Sequence, residues 1–335
     1  MSSSGLKLLA VVSVCLCIGC GSASSARQSK PAEIRLSVTS NASLSFLPVY
    51  IAGPAGCFAR EGIEVRLDEA PGSAKSMQAL IGGSVEAAAS DYLTLLNVTS
   101  QGQGVRAFVL LQKLPDLVAA VSPKASPPIR SLQDLKGRTV GVPSRGGAFH
   151  LLFEHMLQEH GMNPDDVSVV GVGAGMSLAL SAERGVVDAI LLGPLGMSYL
   201  QRRYPSLTIL TDTRTPESMK TSLGVSEMAF NIMCAREDWL RANPQTARKL
   251  ASAMQCGLSW IQDHTPQQIR EALPESGRSP DAQSDFDAIE VARISFPLDG
   301  RMTPEAHDAS VRLLTGRDSA KFKHQEPYTN EFLRP

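Results

Sequence analysis

The chain has 335 residues, of which 43% are apolar and 19% are charged. This composition is typical of a globular protein with enough apolar side chains for more than one core. The 32 basic and 33 acidic residues almost cancel, and no basic block or aromatic-basic stretch stands out, so the sequence argues against nucleic acid as a partner.

The amino terminus has the pattern of an export signal. Lys7 precedes an apolar run from Leu8 to Ile18, and no acidic residue lies before Cys20. The run is too short to span a bilayer as a stable helix, and the Gly, Ser, Ala and Gln residues after it are typical of a flexible tether. We therefore predict a signal peptide at residues 1–19 and a tether at residues 20–32. No later segment is predicted to span a membrane.

Residues 16–20, Leu-Cys-Ile-Gly-Cys, resemble the lipobox of bacterial lipoproteins. The resemblance implies that Cys20 is lipidated and becomes the first residue of the exported chain, although Cys17 stands where leucine is common. Acyl chains on Cys20 would hold a soluble domain at a membrane surface, at about 0.8 kcal/mol for each buried methylene. This lipid anchor would be the only contact with the membrane. Plain secretion with an incidental cysteine is the alternative.

Three cysteines follow Cys20, namely Cys57, Cys234 and Cys256. They lack the close paired spacing of zinc ribbons and redox motifs, so no metal site is predicted. We interpret them as mostly buried small apolar residues. A disulfide between Cys234 and Cys256 is one possibility, because spacing does not determine which cysteines pair.

Strand and helix patterns alternate from residue 33 onward. The first part predicts strands at residues 33–39, 63–67, 86–89, 105–111 and 117–121, and helices from about residue 47 and at residues 74–81 and 92–101. A Pro-rich stretch at residues 122–128 then indicates a domain boundary.

The same order returns after the Pro-rich stretch. Strands are predicted at residues 138–142, 167–172 and 189–192, with helices at residues 148–160 and 176–184 between them. The string Gly83-Ser84-Val85-Glu86-Ala87 recurs as Gly185-Val186-Val187-Asp188-Ala189, each time between a helical run and a short apolar run. A return strand at residues 227–234 precedes a helical carboxyl-terminal part. The repeated string predicts two similar α/β lobes.

Short apolar strands separated by helices favour parallel sheets that are covered on both faces. The predicted fold is therefore α/β, with two lobes that each hold a mostly parallel sheet flanked by helices. Lobe 1 comprises residues 33–121 and 227–335, and lobe 2 comprises residues 122–226. Two crossover strands would join the lobes and act as a hinge.

Several phrases resemble the nitrate/sulfonate/taurine branch of ABC-transporter substrate-binding proteins. They are LPVYIA at residues 47–52, CFAREGIEV at 57–65, LQDLKGRTVGVP at 132–143, GVVDA at 185–189 and YTNEF at 328–332. Their order and spacing cover nearly the whole exported chain. One departure is local, since residues 53–56 read Gly-Pro-Ala-Gly where relatives continue a helix, so this helix should end early.

The resemblance implies a type 2 periplasmic-binding fold that closes on a small-molecule ligand. It also implies delivery of that ligand to an ABC permease with a separate ATPase. From the signal peptide and the lipobox we expect the protein at the cell envelope, in the periplasm or on the outer face of the membrane. We also expect a monomer. Related scaffolds bind nitrate, bicarbonate, taurine, alkyl sulfonates, aromatic acids and pyrimidines. A small organic anion is the expected ligand.

Ligands of open α/β sheets bind beyond the carboxyl ends of strands, where helix N-termini offer free N–H groups. Three loops at residues 72–75, 144–147 and 173–177 combine glycine with a nearby hydroxyl. Arg145 is the most discriminating candidate, because a guanidinium can bind a carboxylate or sulfonate through two parallel hydrogen bonds. A solvated loop charge is the alternative for Arg145.

The candidate ligand-binding residues share a position at predicted strand ends or helix starts. They are Asn41, Phe46, Ser73, Lys75, Ser90, Asp91, Tyr92, Ser144, Arg145, Gly146, Gly147, Gly173, Ala174, Gly193, Pro194 and Glu227. The alternative to ligand binding is a solvent-facing side chain for Lys75 and a core position for Phe46. Asp91 is expected to cap the helix that begins at Tyr92, and Glu227 faces either the cleft or a contact between lobes.

The sequence matches none of the catalytic motifs considered. Residues 171–176 lack the last glycine of a dinucleotide turn, and no nucleophile elbow or zinc-protease motif is present, so we expect no enzyme and no cofactor. His150, His155 and His160 are spaced five apart on one helix, point in different directions and are expected at the surface. The alternatives are a ligand-sensing lipoprotein and a binding protein or enzyme related to synthesis of the thiamine pyrimidine; such enzymes carry a cysteine-rich stretch that is absent here.

Overall fold

The computed structural model describes residues 33–39, 44–315 and 327–335. The signal peptide, the tether, Cys20 and Asn41 lie outside these residues. The strands in chain order are β1 Glu33–Thr39, β2 Glu64–Ala70, β3 Ala87–Asp91, β4 Val105–Gln112, β5 Val118–Val121, β6 Thr139–Val142, β7 Ser168–Gly171, β8 Ala189–Leu192, β9 Ile209–Asp212 and β10 Asn231–Arg236.

The helices in chain order are α1 Leu47–Ala52, α2 Cys57–Arg60, α3 Ser73–Ile81, α4 Tyr92–Ser100, α5 Ala148–Glu159, α6 Met176–Arg184, α7 Pro194–Arg203, α8 Pro216–Leu223, α9 Glu237–Ala242, α10 Pro244–Asp263, α11 Pro266–Ala272, α12 Ala282–Ala292 and α13 Pro304–Thr315. None of these helices is long and apolar enough to cross a membrane. The early end of α1 at Ala52 confirms the break predicted at residues 53–56.

The strands form two five-stranded sheets of matching topology. The first has the order β2-β1-β3-β10-β4 and the second the order β7-β6-β8-β5-β9. In each sheet the pairings of the first three strands are parallel, and one reversed strand, β10 or β5, pairs antiparallel with both of its neighbours. The predicted α/β class, with two mostly parallel sheets flanked by helices, is confirmed in the form of mixed sheets.

Both faces of each sheet are buried, which explains the short apolar strands. In β8, Ala189 and Leu191 pack in one core, while Ile190 and Leu192 pack in another on the opposite face. Alternate side chains of a strand point to opposite faces of the sheet, so helices must cover both.

The repeated string has the same structural role in both sheets. Glu86 accepts a hydrogen bond from the backbone N–H of Arg35 at 2.7 Å, and Asp188 accepts one from the backbone N–H of Thr139 at 2.9 Å. Each acid also pairs with an arginine, Arg35 or Arg138, at 3.3 Å. The acid of each repeat therefore ties the turn before its strand to the start of the neighbouring strand.

The chain crosses between the sheets at residues 113–117 and again at residues 213–230. The crossings run side by side, since the Met228 N–H donates to the Lys113 carbonyl at 2.9 Å and the Thr213 N–H donates to the Leu117 carbonyl at 2.9 Å. Strand β5 pairs with β8 and β9 in the second sheet, although residues 117–121 were assigned to lobe 1. The hydrogen bonds on both edges of β5 place this strand in the second sheet, and the hydropathy of the sequence alone does not reveal that pairing. We therefore place the first lobe boundary before Val118.

Helices also connect the parts of the chain built around the two sheets. Helix α7 follows β8 and packs against α12, which lies in the core beside the first sheet. Arg202 of α7 pairs with Asp281 at 3.5 Å and with Asp287 at 3.4 Å. Helix α13 contacts both α4 and α5. Any closing motion between the sheets has to change these contacts.

A buried carboxyl lies in the first crossing. Asp116 is 1% exposed and has a φ of 53°, and its Oδ2 accepts a hydrogen bond from Gln112 Nε2 at 2.8 Å. Its Oδ1 is buried and has no hydrogen-bond partner among the residues that the structure describes. Burial raises the pKa of the Asp116 carboxyl well above its ordinary value, even though the hydrogen bonds from Ser295 and Gln112 lower it.

The Asp116→Asn variant is expected to lose part of the pH dependence of unfolding. Because the folded pKa is raised, the folded chain holds a proton that the unfolded chain releases above about pH 4, so wild-type stability falls as pH rises, by up to about 1.4 kcal/mol per unit. Asparagine keeps the positive φ with little strain. Urea unfolding of both proteins between pH 5 and pH 8 measures this slope, and equal slopes would contradict the assignment.

The cysteine pairing differs from the interpretation of the sequence. Cys57 at the start of α2 and Cys256 in α10 form a disulfide, while Cys234 is free and buried in β10. The open pairing of Cys234 with Cys256 is therefore wrong, because β10 and α10 place their cysteines in different cores. The disulfide connects residues 199 positions apart and fits an oxidising compartment.

Helices α1 and α10 approach closely at Gly257. An added Cβ at this position would lie 2.8 Å from the backbone oxygen of Pro48. We expect Gly257→Ala to push the helices apart and to lower the free energy of unfolding by about 1–3 kcal/mol. Gly53→Ala is the matched control, because no atom lies within 4 Å of its Cβ position. Equal stability of the two variants in chemical denaturation would show that the helix contact tolerates the methyl group.

Candidate functional site

The carboxyl ends of the parallel strands of both sheets meet at one cleft. Residues that follow β1, β2 and β3 face residues that follow β6, β7 and β8 across two neighbouring spaces. We call the smaller space, of about 180 Å³, the inner cavity, and the larger space, of about 530 Å³, the outer groove. This position agrees with the expected binding position in open α/β sheets.

The inner cavity is mainly apolar. It is lined by Leu44, Ser45, Pro115, Pro143, Phe149, Ala174, Gly175, Leu178, Leu192, Gly193, Pro194, Leu195 and Gly196. Ser45 contributes the hydroxyl of this set, and none of these side chains is ionisable. Pro115 belongs to the first crossing, so the cavity reaches the connection between the sheets.

Two helices begin at the inner cavity. The residues before them, Gly175 of α6 and Gly193 of α7, make no side-chain cap to the first N–H groups. Such N–H groups carry the positive end of the helix dipole and favour an acceptor atom or a negative charge. The cavity therefore combines apolar walls with backbone donors on the side of the second sheet.

The outer groove is more polar. Its wall on the side of the first sheet includes Ser73 and Gln78 of α3, Asp91, and Thr94 and Asn97 of α4. The opposite wall is the loop of residues 144–147, which includes Arg145. The Arg145 side chain is exposed and makes no hydrogen bond or ion pair with another described residue. It is the cation available to a ligand in this groove.

Hydrogen bonds order both walls of the groove. Ser73 Oγ accepts the Asp91 N–H at 3.2 Å and lies 3.2 Å from Thr39 Oγ1, so it connects the ends of β1 and β3. On the other wall the Gly146 N–H donates to His150 Nδ1 at 3.0 Å, while His150 Nε2 lies 3.3 Å from Glu154. This arrangement requires the His150 proton on Nε2.

His150 corrects the expectation that this histidine lies at the surface. The residue is 8% exposed, because it lies under the loop that it holds. Sequence reasoning missed this role. The available signal was the spacing of four residues from Gly146 to a histidine in the first turn of a helix.

The structure places more than half of the predicted site residues on the cleft. Those that line the outer groove are Ser73, Asp91, Ser144, Arg145, Gly146 and Gly147, and those that line the inner cavity are Ala174, Gly193 and Pro194. Asp91 also caps α4, as expected, accepting from the Thr94 N–H at 2.7 Å. Their roles toward a ligand remain predictions.

Other predicted residues line neither space. Phe46 is 4% exposed and lies in the core, as its alternative interpretation expects. Lys75 is exposed, and its Nζ donates to Gln78 Oε1 at 3.1 Å. Tyr92 is fully buried, with its hydroxyl 2.8 Å from His307 Nδ1. Glu227 accepts from Thr303 Oγ1 at 3.2 Å, which is a contact near α13.

Two further candidates also lie outside the lining. Ser90 is fully buried and its hydroxyl has no partner in the described part of the chain, and Gly173 lies one residue before the cavity lining at Ala174. A strand end brings only alternate side chains toward the cleft. Asp91 therefore lines the outer groove, whereas the neighbouring Ser90 is buried.

The apolar walls of the inner cavity are not evident from the sequence. Leu44, Phe149, Leu178, Leu192 and Leu195 look like ordinary core residues in the sequence, and several of them are core residues as well. The one signal was their position within a few residues of a predicted strand end or glycine loop.

A model of the NMT1/THI5-like family matches residues 43–269, more than half of the chain. The chain belongs to this family. Riboflavin-binding protein RibY of Chloroflexus aurantiacus is 25% identical over 230 residues, covering 68% of this chain and 62% of the relative. A 4-amino-5-hydroxymethyl-2-methylpyrimidine phosphate synthase of Uromyces fabae is 24% identical over 220 residues, covering 63% of this chain and 61% of the relative. The match thus spans less than two thirds of either relative.

Solved structures share the fold of this family member along most of its length. A protein of Bordetella bronchiseptica RB50 has a TM-score of 0.80 at 29% identity, covering 90% of this chain and 96% of the other. The periplasmic aliphatic sulphonate binding protein SsuA of Escherichia coli has a TM-score of 0.68 at 14% identity, covering 88% and 95%. The predicted periplasmic-binding fold and the relation to nitrate/sulfonate/taurine-type substrate-binding proteins are confirmed.

Proposed function

We infer that this protein is an extracytoplasmic solute-binding protein that closes on a small organic anion and delivers it to an ABC-type importer. The observation that carries this proposal is Arg145, which has no partner among the described residues, beside a mostly apolar cavity at the ends of six parallel strands. A guanidinium offers two parallel donors to a carboxylate or sulfonate. The importer would supply a permease and a separate ATPase, and the binding protein would act as a monomer.

Binding is favoured over catalysis by the chemistry of the lining. General acid-base catalysis needs an ionisable group within hydrogen-bond reach of the substrate. The described lining of the inner cavity offers none, and Asp91 in the outer groove already accepts two hydrogen bonds from Thr94. An enzyme is the alternative function, because synthases are among the relatives. Turnover of a pyrimidine precursor would favour this alternative.

A thermal-shift screen of small anions, neutral compounds and cations tests the proposed function. A ligand that binds only the folded chain stabilises it by about 2.7 kcal/mol at hundredfold excess over Kd. We expect organic carboxylates or sulfonates to raise the melting temperature. If only cations or neutral sugars do so, the ligand is not an anion. If no compound in a broad panel does so, the binding function is wrong.

The anchor is a separate part of the proposal. We expect Cys20→Ser to move the protein from the membrane fraction to the soluble fraction, because the acyl chains would be lost. Cys17→Ser is the matched control and should stay in the membrane fraction. Fractionation of cells that express each form measures the difference. A wild-type protein in the soluble fraction would instead indicate plain secretion.

A further inference from the structure

We propose that the ligand has two parts, an apolar group of about one ring in the inner cavity and an anionic group in the outer groove at Arg145. This proposal rests on the proposed function and adds the chemical class of the ligand. It excludes small inorganic anions as the main ligand, because they would leave the inner cavity unfilled.

The size of the inner cavity supports the ring. A cavity of about 150 Å³ lined by apolar side chains is large enough to hold benzene, and the inner cavity measures about 180 Å³. Its walls include Leu44, Phe149, Leu178 and Leu195. Burial of an apolar ring against such walls is favourable, whereas a bare charge would lose its hydration.

The backbone N–H groups at the start of α6 and α7 indicate which kind of ring the inner cavity would bind. Gly175 and Gly193 provide no side-chain cap, so the first N–H groups of α6, and in α7 those that follow Pro194, need acceptors from another source. A ring that carries an acceptor atom on one edge would satisfy one of these helices. Substituted aryl groups and heteroaromatic rings have this property.

The charged part of the ligand fits the outer groove. Arg145 is exposed on one wall, and α3 begins on the other wall at Gly72 and Ser73 with no side-chain cap. A guanidinium and a helix N-terminus both attract negative charge. An anion between the two walls would be bound from the sides of both sheets.

One segment of the chain contributes to the lining of both spaces. Pro143 and Phe149 line the inner cavity, while Ser144 to Ala148 between them line the outer groove. Consecutive Cα atoms are about 3.8 Å apart, so a ligand that occupies both spaces needs only a short linker between ring and anion.

Calorimetric titration with a matched set of compounds tests this proposal. The set contains aryl carboxylates and aryl sulfonates with linkers of zero to three methylenes, the corresponding neutral amides, and the ring-free acids. We expect at least one aryl anion to bind about tenfold to hundredfold more tightly than its ring-free acid and its amide. Arg145→Gln should bring the affinity for the aryl anion down to that of the amide.

Two variants that fill the inner cavity supply the second arm. Gly193 has a φ of −86°, and no described atom lies within 4 Å of its added Cβ, so Gly193→Leu adds volume at the cavity without a clash at Cβ. Ala174→Leu is the second variant, because Ala174 is exposed and lines the same cavity. Both should bring the affinity for the aryl anion down to that of the ring-free acid. Arg130→Gln, on an exposed loop outside both spaces, should change nothing.

The outcomes separate the two levels of the proposal. Ring-free acids that bind as tightly as every aryl anion, or small molecules that bind while all aryl anions fail, would overturn the two-part ligand and leave the solute-binding function intact. Unchanged affinity in both cavity-filling variants would also overturn it. Absence of any small-molecule ligand in the thermal-shift screen would instead refute the proposed function.

Discussion

Replacement of Arg145 by glutamine is expected to weaken binding of an anionic ligand by about tenfold to hundredfold. Hydrogen bonds to charged groups contribute about 1.5–3 kcal/mol, and each 1.4 kcal/mol changes Kd about tenfold. The apo protein should keep its melting temperature, because Arg145 is exposed and has no partner among the described residues. Calorimetry of wild type and variant with the best anion from the thermal-shift screen measures the effect.

Two controls make this result specific to the charge at the groove. Arg145→Lys keeps the charge but loses the paired donors, so it should recover only part of the affinity. Arg130→Gln removes an exposed charge outside the cleft and should leave affinity unchanged. If the Arg145→Gln protein binds as tightly as wild type, Arg145 is a solvated loop charge and not a ligand contact.

Loss of the disulfide is expected to produce the largest change in stability. Cys57 and Cys256 close a loop of about 200 residues, and restriction of the unfolded chain by such a loop contributes about 3–5 kcal/mol. The double variant Cys57→Ala/Cys256→Ala should lose this amount in denaturant unfolding. The bond joins α2 to α10, away from the cleft, so ligand affinity should change little in the folded protein.

Reductant provides the control for the disulfide. Dithiothreitol should lower the melting temperature of the wild type toward that of the double variant, and it should not affect the double variant. Cys234 remains a free thiol in both proteins, and burial raises its pKa, so it should stay unreactive in the folded state. A wild type whose melting temperature is insensitive to reductant would contradict the pairing.

Much of the fold was predictable because local patterns and long-range structure agree. The string at residues 83–87 recurs at residues 185–189, and both copies follow a helix and supply an acid that accepts a hydrogen bond from the neighbouring strand. Buried strands such as β3 and β8 are short apolar runs between glycine turns, and this pattern indicates a covered parallel sheet.

Other elements depended on contacts that a single sequence does not reveal. Strand β9 and helices α7 and α8 were not predicted; β9 has four residues at a sheet edge, and Ile209 is partly exposed there. The assignment of β5 to the second sheet follows from its pairing with β8 and β9. The disulfide likewise joins residues that become neighbours only after α1, α2 and α10 have packed.

The site was predictable to the extent that it uses loops and charges. Glycine, hydroxyl and arginine at a strand end form a recognisable group at residues 144–147, and the structure places them on the outer groove. The inner cavity was not predictable, because Leu44, Phe149 and Leu195 carry no signal that separates a cavity wall from a packed core. Their common role arises only when both sheets meet at the cleft.

Small-angle X-ray scattering during ligand titration measures whether the two lobes close. If the crossings at residues 113–117 and 213–230 allow the lobes to close on a ligand, the radius of gyration should decrease as the ligand saturates the protein, with a midpoint at the Kd found by calorimetry. A radius of gyration that stays constant at full saturation would show that the lobes do not close on the ligand.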